Sequence, residues 1–146
     1  MFKTGKQVDV DNEDLLTGDA HSLPFILRNS EIKIMKTKEL EHSKAHTTDE
    51  IIEYVANSVV IRTILKKPSG DVRLMSFDSG EGLAEKTSPF DTFAQIIDGK
   101  AEIIINGKPN ILVAGQSIVI PALAPNAIKP NGRFKMIQTI IKGTYE

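Results

Sequence analysis

The stretch FDTFAQIIDGKAEIIINGKPNILVAGQSIVIP, from Phe90 to Pro121, decides the fold. Its apolar runs are separated by Asp98-Gly99, Asn106-Gly107 and Ala114-Gly115. Asp-Gly and Asn-Gly pairs between β-rich runs favour type I′ turns, because both central residues of such a turn need positive φ. The stretch therefore predicts short antiparallel strands joined by tight hairpins.

The flanking sequence extends this pattern. Alternating or β-branched runs predict further strands at 31–35, 58–65, 72–77 and 134–141. The segment from Thr47 to Glu50 has the spacing of a capping box, so a single helical turn and a short strand are both open there. About seven to nine short strands with little helix predict an all-β sandwich or a small closed barrel.

Composition excludes several classes of function. The chain has 146 residues, no cysteine and a net charge of −1. It is long enough for one domain with its own core, and it offers neither disulfides nor thiolate ligands. The balanced charge and the aromatic content of 5% give no reason to expect nucleic acid or a membrane surface as a partner. No apolar run approaches the roughly 20 residues of a membrane helix, so we expect a cytoplasmic protein.

Two parts of the chain differ in pattern. Residues 1–40 are weakly patterned, and we interpret them as an irregular N-terminal arm that packs on the barrel or on a partner subunit. Residues 41–146 hold most of the predicted strands and are interpreted as the barrel domain.

From Val59 onward the chain resembles the cupins, in particular the small single-domain bacterial ones. The resemblance is carried by Gly80, the run from Ser88 to Asp91, Asp98-Gly99, Gly115, and the prolines Pro121 and Pro125. It implies an all-β fold of the cupin type, a double-stranded β-helix or jelly-roll barrel, over about residues 59–142.

The resemblance also locates the positions at which cupins bind metal. Their first motif, Gly-x5-His-x-His-x3,4-Glu-x6-Gly, runs here from Gly80 to Gly99 and places its ligand positions on Lys86, Ser88 and Thr92. Their second motif, Gly-x5-Pro-x-Gly-x2-His-x3-Asn, begins at Gly115 and places its histidine position on Asn126. A lysine ammonium has no lone pair, and hydroxyl and amide groups are weak ligands beside imidazole. No metal and no other cofactor is therefore expected.

Lys86 has three interpretations. Its ammonium can reach water at the barrel mouth, or it can bind a small polar or anionic ligand together with Ser88, Thr92 and Asn126. It can also act as a catalytic lysine, forming a Schiff base or serving as a general base. No residue that would tune it is identifiable from the sequence.

The predicted function is accordingly the binding of a small polar or anionic molecule inside the barrel. Phe90 and Met136 are predicted to complete the lining of the pocket with the four polar residues. The alternative is a cupin enzyme of the isomerase, oxygenase or lyase type that works through a metal or through Lys86, and catalytic activity is left open.

The remaining candidates have simpler explanations. His42 and His46 are four residues apart, yet they lie in a highly charged segment that is typical of a solvated connector.

Phe93, Gln95 and Ile97 would form an outward face too apolar for water, and the corresponding sheet of cupins often packs on a second subunit. A homodimer is therefore expected.

Overall fold

The computed structural model describes residues 7–9, 31–34 and 39–143. In these ranges its regular secondary structure is almost all strand, which confirms the predicted all-β barrel. A single 3₁₀ turn spans Thr48–Glu50. The strands are β1 (Gln7–Asp9), β2 (Glu31–Ile34), β3 (Ser58–Lys67), β4 (Gly70–Phe77), β5 (Leu83–Lys86), β6 (Asp91–Ile105), β7 (Lys108–Val113), β8 (Ser117–Ile120), β9 (Asn126–Lys129) and β10 (Phe134–Ile141).

Strand β6 holds the two halves of the barrel together. Its first half pairs with β10 and β8, and its second half pairs with β7 and β9. One sheet continues from β10 through β4, β3 and β2 to β1, and the other continues from β9 to β5. Since one long strand belongs to both sheets, the sheets curl around a common interior.

The prediction of a hairpin at Asp98-Gly99 is wrong. The chain does not reverse at this pair, which lies inside β6. The register with β10 shifts there, so that Ile97 is an extra residue between Ile96 and Asp98. This β-bulge bends the strand from one sheet into the other. Gly99 has φ +78, and a Cβ there would lie 2.1 Å from the carbonyl oxygen of Arg133, so only glycine fits.

The other two turn signals are borne out as turns. Asn106 and Gly107 both have positive φ, at 53° and 79°, and they connect β6 to β7 as the two-residue hairpin that was predicted. Gly115, with φ +94, lies in the connection from β7 to β8. These two strands do not pair with each other; they pair with β6 on either side of the bulge.

The core fills the space between the two sheets. One sheet supplies Phe77, Ala94, Phe134 and Met136, and the other supplies Ala101, Ile103 and Ile128, all buried. The rings of Phe77 and Phe134 stack with centroids 4.4 Å apart. Burying side chains of this size contributes about 1.5–3 kcal/mol each, so this packing is the main source of stability.

A second apolar cluster lies on the outer face of the β3–β4–β10 sheet. Ile52, from the segment that follows the 3₁₀ turn, packs on Val60 and Leu74, and all three are buried. Ile97 packs against the same cluster. Part of the outward face that was predicted to contact a second subunit is thus covered by the chain itself.

The N-terminal residues that the structure describes extend the sheet. β2 lies within the strand predicted at 31–35 and pairs in parallel with β3, and β1 pairs in parallel with β2. Most of the predicted arm, residues 1–40, lies outside the described residues, so its packing stays a prediction. Among the described residues, no helix has the length and apolar character needed to cross a membrane.

Candidate functional site

A cavity opens at the end of the barrel where β10 finishes and β6 begins. Its volume is about 90 Å³. A single water needs on the order of 10–15 Å³ of such space, so the cavity admits a small molecule of several non-hydrogen atoms. Described residues that line it are Arg73, Lys86, Ser88, Phe90, Thr92, Ile120, Pro121, Asn126, Gln138 and Ile140.

Five of the six predicted pocket residues lie together in this lining: Lys86, Ser88, Phe90, Thr92 and Asn126. The first four of these residues do not come from a single strand. Instead β5 ends at Lys86, a connection covers residues 87–90, and Thr92 belongs to β6. Met136 is fully buried in the core and does not line the cavity itself. It packs behind the lining residue Gln138, whose Nε2 lies 3.8 Å from the sulfur of Met136. The role of all six in ligand binding stays a prediction.

Two polar lining residues were missed by the sequence reasoning, Arg73 on β4 and Gln138 on β10. They face each other directly in the register of the two strands. The signal was present in the alternation: Arg73 shares its strand face with the core residues Met75 and Phe77, and Gln138 shares its face with Phe134 and Met136. An arginine on the core-facing side of a strand is unusual, because burying its charge without a partner is costly.

Arg73 is a partly buried cation with few protein partners. Its Nη2 donates to Oε1 of the buried Gln138 at 3.2 Å, and its Nε is buried with no hydrogen-bond partner. Burial lowers the pKa of Arg73, and the carboxylate of Asp71 offsets this in part. Asp71 is itself paired with Lys142, whose Nζ lies 3.3 Å away. The guanidinium, which remains charged in proteins, thus lacks a carboxylate partner of its own among the described residues.

Lys86 presents a second cation to the same cavity. Its Nζ lies 3.5 Å from Oδ1 of Asn126, whose own amide donates to the backbone oxygens of Lys86 and Ala124. The side chain remains open to solvent at the mouth. Removal of water by the surrounding protein lowers the pKa of Lys86, and the charge of Arg73 lowers it further. The two cations therefore act on each other across the cavity.

The loops at the mouth are held by short polar contacts. The hydroxyl of Ser88 accepts from the backbone N–H of Phe90 at 3.1 Å, and its backbone oxygen accepts from Leu123 at 2.6 Å. Asp91 Oδ1 accepts from the N–H of Ala122 at 2.8 Å.

Leu123 in this mouth loop has φ 70, a conformation that costs a leucine about 1–2 kcal/mol. It occupies the second glycine of the motif Gly-x5-Pro-x-Gly. The loop therefore keeps the glycine-type conformation of the motif with a residue that is strained in it.

The lining does not fit the metal that this fold commonly holds. The residues at the four ligand positions carry an ammonium, two hydroxyls and an amide, and Arg73 adds a second positive charge beside them. Imidazole and carboxylate groups are absent from the described lining, and no cluster of three histidine, aspartate, glutamate or cysteine side chains occurs among the described residues. Two cations repel a metal ion, and the remaining groups are weak ligands.

The two histidines considered from the sequence and the carboxylate of Asp78 lie outside the cavity lining. His42 pairs with Glu39 at 2.8 Å, and His46 contacts the backbone oxygen of Glu41, both on the surface. Asp78 pairs with Nε of Arg133 at 2.8 Å and accepts from the N–H of Asn57 at 2.7 Å. These contacts are structural, in agreement with the simpler explanations given above.

Comparison with known proteins identifies the fold. No family model matches the chain, and no curated protein matches it. Among solved structures, a cupin superfamily protein from Desulfitobacterium hafniense is 28% identical with a TM-score of 0.68, over 73% of this chain and 97% of its own. A conserved protein of unknown function from Streptococcus pyogenes is 26% identical with a TM-score of 0.70, over 74% and 95% of the two chains.

A third similar structure is a cupin 2 conserved barrel domain protein from Leptotrichia buccalis. It is 33% identical with a TM-score of 0.62, over 64% of this chain and 46% of its own length. These likenesses agree with the barrel fold.

Proposed function

Since the chain is a small barrel protein of the cupin superfamily, we propose that it binds a small anionic molecule in the cavity at its mouth without a metal ion. The ligand sits between the guanidinium of Arg73 and the ammonium of Lys86. Ser88, Thr92, Asn126 and Gln138 supply neutral hydrogen-bonding groups, and Phe90 supplies an apolar wall.

The observation that carries this proposal is the charge of the cavity. Two cations face it, and the described lining contains no carboxylate to neutralise them. A cation that is partly removed from water without a partner is costly, and the cost is recovered when an anion binds. An arginine and a lysine with free donors are the groups that proteins use for carboxylates and phosphates.

Isothermal titration with glycolate, acetate and inorganic phosphate tests the proposal. We expect at least one of these anions to bind the wild type, and Arg73→Gln and Lys86→Gln each to weaken it by at least tenfold, because each variant removes one charge. Lys108→Gln, which removes an exposed lysine that does not line the cavity, should leave binding unchanged. Glycolamide, the uncharged counterpart of glycolate, should bind at least tenfold more weakly.

Metal analysis of the purified protein is the complementary test. The proposal requires no stoichiometric iron, manganese, nickel or zinc. A stoichiometric metal, or anion binding that is unchanged in both charge-removing variants, would overturn it.

We also propose that the protein is a homodimer formed through the outward face of the β8–β6–β10 sheet. Phe93 and Val119 are direct neighbours in the register of β6 and β8 and are 38% and 56% exposed. Ile141, also 56% exposed, lies near them at the end of β10. Contiguous apolar surface of this kind is typical of an interface.

Light scattering coupled to size-exclusion chromatography tests the dimer. We expect a dimer for the wild type and a monomer for Val119→Glu, with Ile111→Glu, on the exposed β7, as a matched control that remains dimeric. A monomeric wild type at micromolar concentration would refute the proposal.

A further inference from the structure

Arg73 and Lys86 share one cavity but differ in chemistry. A guanidinium stays protonated and binds carboxylates through its planar fork of donors. A lysine amine can lose its proton, and it is then a nucleophile toward carbonyl carbon. A molecule that carries a carboxylate and a carbonyl within a few bonds would engage both groups.

The surroundings of Lys86 favour the neutral amine. No carboxylate lies within ion-pairing distance of it among the described residues, and its one side-chain contact is the amide oxygen of Asn126 at 3.5 Å. The other charged group that faces the cavity is Arg73, which repels a second positive charge. These effects act in the same direction as the lowered pKa of Lys86.

We propose that Lys86 forms a reversible Schiff base with the carbonyl carbon of a small oxo acid whose carboxylate is bound by Arg73. This inference rests on the proposed function, since it uses the same anion site and names the class of ligand. The cavity of about 90 Å³ suits an acid of two to four carbon atoms, on the order of six to nine water-sized groups at most.

Formation of the Schiff base needs no reactant besides Lys86 and the oxo acid. The nitrogen lone pair of Lys86 attacks the carbonyl carbon, a C–N bond forms, and the oxygen takes a proton to give a carbinolamine. The C–O bond then breaks, water leaves, and the nitrogen loses a proton to give the imine. The hydroxyls of Ser88 and Thr92 line the same cavity and can donate to the departing oxygen. No group is oxidised or reduced, and hydrolysis reverses the reaction.

Reductive trapping with glyoxylate tests the inference. Wild-type protein is incubated with glyoxylate and sodium cyanoborohydride at neutral pH, and the modified lysine is found by intact mass and peptide mapping. We expect one carboxymethyl group, at Lys86, at least tenfold faster than at the exposed Lys108. Arg73→Gln should slow labelling of Lys86 by at least tenfold, and acetaldehyde, which lacks the carboxylate, should show no preference for Lys86.

Measurements of anion binding distinguish failure of the Schiff-base inference from failure of the proposed anion site. If glycolate binds the wild type and not Arg73→Gln while glyoxylate labels Lys86 no faster than Lys108, the anion site stands and the Schiff base is refuted. If none of glycolate, acetate and inorganic phosphate binds, the proposed function fails as well. Labelling of Lys86 that is unchanged in Arg73→Gln would also overturn the inference, because the carboxylate anchor would then have no role.

Discussion

The cations near the two ends of strand β10 differ in how completely they are paired. At the end that begins with Phe134, the neighbouring Arg133 is paired with Asp78 at 2.8 Å and lies 5.0 Å from the ring centre of Tyr54. Lys135 donates to the backbone oxygen of Asp49 at 2.6 Å and also lies over that ring, at 4.9 Å. At the other end, Lys142 is paired with Asp71 at 3.3 Å, but among the described residues Arg73 donates only to Gln138 and Lys86 has only a long contact to an amide.

The polar groups of the first end complete one another. The hydroxyl of Tyr54 donates to Asp98 at 2.5 Å, and burial together with this bond raises the pKa of Tyr54. The bond joins the segment after the 3₁₀ turn to the bulge in β6. The cations that contribute to the stability of the fold are thus paired with protein groups. Arg73 and Lys86 lack such partners among the described residues, so their presence needs a reason other than stability of the fold. We refer below to the paired end and the cavity end of β10.

The largest expected effect is at the paired end. Asp78→Ala should lower the free energy of unfolding by about 2–3 kcal/mol, because it removes the partner of Arg133 and leaves the N–H of Asn57 without an acceptor. Urea denaturation measures the change. Glu41→Ala, which breaks an exposed pair with Lys44 at 3.5 Å, should change stability by less than about 0.5 kcal/mol. Equal effects of the two variants would remove the basis for calling the first end structurally paired.

Backbone strain gives a smaller effect at the cavity end. Leu123→Gly should stabilise the protein by about 0.5–1 kcal/mol, because glycine adopts φ 70 without strain and the leucine side chain is 69% exposed. Asn106→Gly is the matched control, since asparagine tolerates its φ of 53 and should change stability by only a few tenths of a kcal/mol. Destabilisation by Leu123→Gly would show that the leucine side chain contributes to packing at the mouth.

The smallest effect is the response to pH, which has the same sign at the two ends but lies in different pH ranges. The pKa of Lys86 in the folded protein is lowered from 10.5. The unfolded chain then binds more protons between the folded pKa and 10.5, so stability rises with pH through that window. The difference in unfolding free energy between wild type and Lys86→Met should follow this rise, measured by urea denaturation from neutral pH to pH about 10.

Asp78 gives a rise of stability with pH as well, but in the acid range. Its pKa is lowered from 3.8, first by the N–H of Asn57 and then by Arg133. Its contribution is therefore complete above 3.8 and is lost as the pH falls through the folded pKa. The difference between wild type and Asp78→Ala should shrink in acid, and a difference that stays constant there would contradict the assigned pairing.

Much of the fold could be predicted from local pattern. The hairpin at Asn106-Gly107 and the strands 72–77 and 134–141 follow from turn chemistry and alternation, and both kinds of signal act over a few residues. Asp98-Gly99 was misread because a hairpin turn and a β-bulge both require a glycine at positive φ. The choice between them depends on the carbonyl of Arg133, more than thirty residues away in sequence, and no local pattern contains that contact.

The candidate site was predictable only in part for a similar reason. The motif spacing gave Lys86, Ser88, Thr92 and Asn126, which the structure places in one lining. Arg73 and Gln138 come from strands outside the two motifs and were treated as members of ordinary hairpins. Their alternation showed that they face the core side, but only the pairing of β4 with β10 brings the two side chains together at the cavity.

The most direct test of the central claim is the unfolding free energy of the double variant Arg73→Met/Gln138→Leu, measured by urea denaturation with no anion added. The double variant removes the guanidinium and its buried partner together while keeping the apolar volume. If the charge is held for a ligand at a cost to the fold, the double variant should be at least as stable as the wild type, with a gain of about 1–2 kcal/mol. A loss as large as that of Asp78→Ala would mean that Arg73 serves the fold as Arg133 does, and the claim of an anion site would be contradicted.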